Sequence, residues 1–143
     1  MITKNLTLAA ALGLCAMLAP AGADACTNLI AGKKATKDGS TMVTYAADSH
    51  TLYGALYHQP AADHKPGTMR KVINWDTGKY MGEIPEVAHT YNVVGNMNEH
   101  QLVIAESTWG GLPELVDTTG RSIIDYGSLI YITLQRARTA REA

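Results

Sequence analysis

The chain has 143 residues, 12 basic against 13 acidic groups and a net charge of −1, with five histidines, two cysteines and 46% hydrophobic residues. A balance this close to neutrality carries no field for nucleic acid or anionic lipid, so those classes of partner are not expected. The length suits one domain with a hydrophobic core and is small for a mixed α/β enzyme.

The chain opens with Lys4, an apolar stretch over residues 6–18 and the small-residue ending Ala23-Asp24-Ala25. A charged start, a short apolar core and small residues at −3 and −1 describe a secretory signal peptide over residues 1–25. The stretch is too short to span a bilayer comfortably. Cleavage after Ala25 makes Cys26 the first residue of an exported chain, residues 26–143, in the periplasm or outside the cell. Cys15 leaves with the leader, so the mature chain keeps one thiol and has no internal disulfide.

Residues 27–31 and 41–45 are rich in β-formers around an Asp38-Gly39 turn, which predicts a β-hairpin that starts immediately after Cys26. Further strands are expected at 52–58, 70–75, 88–94 and 101–105, separated by loops at 60–67, 78–85 and 95–99. A loop opens at Gly110-Gly111-Leu112-Pro113. From about residue 123 the period becomes helical, with Ile130, Leu134 and Ala137 at i, i+4 and i+7, and Arg136, Arg138 and Arg141 largely on the other side. The helix is expected to run to residue 143 without a glycine cap or proline, which reads as truncation.

A cysteine at the start of a mature chain supplies a nucleophilic thiol and, in its own α-amino group, a base whose unperturbed pKa is about 7.7–8.0. No distant histidine is then required. The five histidines, at 50, 58, 64, 89 and 100, show no zinc spacing, and no glycine-rich loop precedes a helix, so neither a metal nor a nucleotide cofactor is expected. Two other readings of Cys26 stand beside catalysis. It is a lipidation site in an envelope binding protein, against which Ala23 and Asp24 both weigh, or it is an inert buried residue.

The run from Cys26-Thr27 through Gly32-Lys33-Lys34-Ala35-Thr36-Lys37-Asp38-Gly39-Ser40 resembles the start of the dipeptidase family of N-terminal nucleophile cysteine hydrolases, which includes the secernins. Gly95-Asn96-Met97-Asn98-Glu99-His100 is similar to a segment shared with the wider choloylglycine-hydrolase and penicillin-V-acylase relatives. Residues 134–143 resemble the helix these dipeptidases carry next. The resemblance implies an α+β fold, a four-layer αββα sandwich of which this chain holds the N-terminal part. It implies a cysteine-type dipeptidase, with Cys26 as nucleophile, acting on dipeptides or short amides. The alternatives are the lipid-anchored binding protein acylated at Cys26 and an inactive truncated dipeptidase. A homo-oligomer stays open.

The same resemblance nominates site residues. Asp48 matches an aspartate after the second strand that holds an amino group, or else it is a solvated loop acid. Wider relatives carry an arginine three residues earlier, where this chain has Tyr45. Asn98 falls on the shared segment as a substrate-binding or turn residue. Thr108 stands ten residues beyond it, where bile-salt hydrolase relatives carry an oxyanion-binding asparagine. Glu106, Ser107 and Thr108 either line a pocket or form an ordinary strand exit.

Overall fold

A computed structural model describes residues 26–47, 54–107, 112, 114, 120 and 122–143. The leader, Asp48 and Thr108 lie outside the described residues.

Strands β1 (Thr27–Ala31) and β2 (Met42–Ala46) form the expected antiparallel hairpin, with Thr27 opposite Ala46 and Ala31 opposite Met42. Its turn is built locally. Asp38 Oδ1 accepts from Ser40 N at 3.0 Å and from Ser40 Oγ at 2.7 Å, and Gly39 takes the left-handed φ of 74° that a side chain would resist. In β2 the alternation turns Val43 and Tyr45 inward.

The middle of the chain departs from expectation. Short strands β3 (His58–Gln59), β4 (Ala62–Asp63), β7 (His89–Thr90), β8 (Val93–Val94) and β9 (Met97–Asn98) accompany two longer ones, β5 (Met69–Ile73) and β6 (Tyr80–Pro85). β3 pairs with β8 and β8 with β9, while β4 pairs with β7 and β5 with β6, all antiparallel. Residues 78–85 were expected to be a loop because of Gly78, Gly82 and Pro85. Instead β6 occupies most of that stretch. Gly78, at φ 68°, closes the turn from Asn74, whereas Gly82 lies within the strand where a Cβ would approach Ile123 Cδ1 to 3.3 Å. A glycine in a strand can mark a close approach rather than a break.

The strand expected at 88–94 is divided, because Tyr91 turns its N–H to the Gln135 carbonyl at 2.9 Å. Of the strand expected at 52–58, the described part is paired as a strand only at His58, where β3 starts. Residues 101–105 contribute a lone bridge between Val103 and Met97, following Gln101 at φ 63°.

Helix α1 (Tyr126–Leu134) begins at Asp125, whose carboxylate accepts from Ser128 N at 2.9 Å. It buries Ile130, Tyr131, Leu134 and the following Ala137 against Val93 and Leu102, with Trp75 and Ile104 packed on the cluster. The predicted apolar face is therefore correct, but the helix ends at Leu134 rather than at residue 143. Its final carbonyls are taken by other parts of the fold. Asn98 Nδ2 donates to Leu134 O at 2.8 Å and to Ala137 O at 2.7 Å, and Gln135 O accepts from Tyr91. Arg138 and Arg141 are exposed as expected; Arg136 is half-buried because it reaches Glu86 at 2.8 Å.

The strands and helix are compatible with part of an α+β fold. Among the described residues, the strands form four separate sheets of two or three strands.

Candidate active site

Cys26 immediately precedes β1 and is half-buried. Its thiol donates to Glu106 Oε1 at 3.6 Å, a contact that closes a loop of eighty residues. The Tyr45 hydroxyl donates to the same oxygen at 2.9 Å. Two further hydrogen bonds tie the backbones together. Asn28 Nδ2 donates to the Glu106 carbonyl at 2.7 Å, and Ser107 Oγ donates to the Cys26 carbonyl at 3.2 Å. The hairpin thus supplies Cys26, Asn28 and Tyr45, and residues 106–107 close over them. Strand alternation explains the pairing of Asn28 and Tyr45, which stand opposite each other in register.

The electrostatics of this cluster are acidic. Burial, reinforced by the hydrogen bond and charge of Glu106 and by Cys26 and Tyr126 nearby, pushes the Tyr45 phenol far above its ordinary range. Tyr126 is pushed up to about 12, first by burial, then by its hydrogen bond to and the charge of Asp76, with Glu106 and Asp125 adding to it. Tyr126 donates to Asp76 Oδ1 at 2.8 Å. A cavity of about 590 Å³ begins at Tyr45, and its walls include Tyr57, Trp75, Asp76, Tyr126 and Tyr131. Trp75 stacks on Tyr131 with ring centroids 4.8 Å apart, which gives that wall a rigid aromatic surface. A volume in this range holds a small ligand.

Asn98 belongs to a different part of the fold. It is 4% exposed, its amide nitrogen binds the carbonyls of Leu134 and Ala137, and its Oδ1 accepts from His100 N and Leu102 N. All four hydrogen bonds of the side-chain amide go to the backbone, so in this structure Asn98 fastens β9 to the end of α1. Of the nominated residues, the structure places Cys26 in the cluster, Asn98 in the core, and neither Asp48 nor Thr108 among the described positions.

Glu106 and Tyr45 are the residues that sequence reasoning underrated. In the sequence Glu106 reads only as a pocket-lining or strand-exit residue, and Tyr45 as a departure from an arginine of wider relatives. Inward alternation of Tyr45 was a usable signal; no spacing rule links residue 26 to residue 106. Among the described residues, no three His, Cys, Asp or Glu side chains are gathered to hold a metal ion. No described helix is long and apolar enough to cross a membrane.

Residues 25–143 match the model of Peptidase family C69. The chain belongs to that family. The resemblance read from the Cys26–Ser40 run thus holds, since C69 is the dipeptidase and secernin family. Membership makes the protein a peptidase, a hydrolase that binds a peptide substrate. No curated protein and no solved structure matches the chain significantly.

Proposed function

We propose that this C69 peptidase is an exported cysteine-type dipeptidase whose nucleophile is Cys26, freed as the N-terminal residue by cleavage after Ala25. The thiol proton passes to the α-amino group of Cys26 as sulfur attacks the amide carbonyl. The tetrahedral centre collapses, the C–N bond breaks and the same amino group returns the proton to the leaving amine. Water then hydrolyses the thioester. In this reading the hairpin is the first part of an αββα sandwich, and the chain acts in the periplasm or outside the cell.

The observation that carries the reading is the position of Cys26. The residue that follows a small-residue cleavage junction is also the half-buried thiol bound to Glu106, a carboxylate it shares with Tyr45, which lines the aromatic cavity. A lone thiol in an exported chain needs such a reason.

The test expresses the full sequence in an exporting host, measures the intact mass and N-terminal residue, and assays dipeptide hydrolysis. The expected result is an unmodified chain starting at Cys26, with turnover reduced at least roughly a thousandfold in Cys26→Ser and lost in Cys26→Ala, both folded. A diacylglyceryl increment on Cys26, or full activity with the α-amino group blocked, would overturn it.

A further inference from the structure

We propose that Asn28 is a positioning residue whose side-chain oxygen receives the α-amino group of Cys26 once the leader is cleaved, and so aims the base at the thiol. This role rests on the reading of Cys26 as an N-terminal nucleophile and deepens it.

Asn28 stands two residues after Cys26, and strand alternation puts both side chains on one face. Their contacts agree. The Cys26 thiol reaches Glu106 Oε1 at 3.6 Å, Asn28 Nδ2 donates to the Glu106 carbonyl at 2.7 Å, and Ser107 Oγ donates to the Cys26 carbonyl at 3.2 Å. Residues 106 and 107 thus hold the head of the hairpin and the Asn28 amide together. The bond to the Glu106 carbonyl also fixes which way the amide points, because of its two ends only the nitrogen can donate.

At the other end of the amide, Oδ1 is buried and has no hydrogen-bond partner. A buried acceptor without a donor is costly and calls for an explanation. The side-chain donors around it are committed elsewhere, the thiol and the Tyr45 hydroxyl to Glu106 Oε1 and the Ser107 hydroxyl to the Cys26 carbonyl. Each of these groups has one hydrogen to give. The next N–H along the strand, that of Leu29, goes to Thr44 Oγ1 at 3.2 Å. Cleavage after Ala25 adds donors at this end of the hairpin, since it converts Cys26 N from a peptide amide with one N–H into an amine with two or an ammonium with three.

The neutral amine gives one hydrogen to Oδ1 and keeps its lone pair for the thiol. When the S–H bond breaks and the new N–H bond forms, the contact becomes a charge-assisted hydrogen bond and strengthens. Asn28 therefore favours proton uptake by the base and steadies the ammonium until the proton passes to the leaving amine. The described titratable groups around the head of the hairpin are the Cys26 thiol, Glu106, Tyr45 from β2 and Tyr126 from α1, with Asp76 and Asp125 beside Tyr126. Substitution of Asn28 leaves all of them in place.

The test uses protein expressed from the full sequence, with its first residue established by N-terminal sequencing, and reads the α-amine directly. Cys15 and Cys26 are the two cysteines, so a chain that starts at residue 26 carries one. Labelling with carbon-13 and nitrogen-15 cysteine, and capping the thiol as its methyl disulfide, leaves one labelled titrating group to follow by NMR. Asn28→Ala removes the acceptor and is expected to lower the midpoint of the amine by at least about half a pH unit. Asn28→Asp supplies a charged acceptor and is expected to raise it by at least about the same interval. Both variants lose the Nδ2 bond to Glu106, so a purely structural role for Asn28 predicts the same response in both. Asn28→Asp also keeps the shape of the side chain, which decides the matter where Asn28→Ala does not fold. In dipeptide turnover, the acid limb of kcat/KM for Asn28→Ala is expected to move down with the midpoint while kcat falls at least about tenfold. An unmoved midpoint in a folded variant, or two shifts of the same sign, gives the amine to Asp48 or to solvent and overturns the proposal, while wild-type turnover keeps the dipeptidase reading. Opposite shifts in a protein that hydrolyses no dipeptide support the Asn28 contact and overturn the dipeptidase reading. A chain that does not begin at Cys26 overturns both.

Discussion

The side-chain amide of Asn98 donates to the Leu134 carbonyl at 2.8 Å, joining β9 to the last residue of α1. Because the same nitrogen also reaches Ala137 O, the chain is drawn out of its helical path just where the sequence pattern continues. Asn98→Ala leaves two carbonyls and two N–H groups without their partner in the interior. The expected loss is about 2–4 kcal/mol of unfolding free energy, read as a lower urea midpoint. Unchanged stability would show that the helix end is held by other contacts.

Gly127 lies in the first turn of α1 against the Trp75 ring, where an added Cβ would come within 2.5 Å of Cγ. Trp75 cannot retreat freely, since it stacks on Tyr131 and meets Tyr57 edge to face at 4.8 Å. Gly127→Ala is therefore expected to destabilise by about 1–3 kcal/mol despite the better helix propensity of alanine. Urea unfolding of the variant against wild type checks it, and a gain in stability would contradict the packing.

Acid sensitivity follows from two carboxylates. Burial pushes Glu86 up, but its hydrogen bonds from Arg136 and Val87 N–H, with the charges of Arg136 and Arg70, outweigh that and hold it below the usual range. Asp125 is likewise raised by burial and lowered further by hydrogen bonds from Ser128 and Trp75 N–H. A carboxylate whose folded pKa is depressed stabilises the fold above its unfolded value and loses that contribution as pH falls through the folded one. Melting temperature is thus expected to be level down to about pH 5 and to fall below about pH 4. Glu86→Gln and Asp125→Asn should each flatten that fall; an unchanged slope in both would remove these groups from the acid limb.

Asp125 also caps α1, accepting from Ser128 N and, through its second oxygen, from Ser128 Oγ and Trp75 N. Asp125→Ala at neutral pH is expected to cost about 1–2 kcal/mol, near the upper end for a cap, because the Trp75 tie goes with it. Denaturant unfolding measures it.

The linear chain by itself determined the hairpin after Cys26, the apolar face of α1 through Ile130, Leu134 and Ala137, and family membership, because each rests on near neighbours or on a contiguous motif. Period and turn chemistry act over a few residues, so Asp38-Gly39 was readable as a turn. The short strands β3, β4, β7, β8 and β9 were not readable as such, since two-residue pairings depend on the partner and not on local propensity. Tertiary structure alone decided that Gly82 would lie inside a strand facing Ile123, that Asn98 would be fixed to the helix end, and that Glu106 would meet Cys26 across eighty residues. The reason is the same in each case: a hydrogen bond or close contact between residues distant in the chain takes its energy from burial and geometry that only the folded state provides.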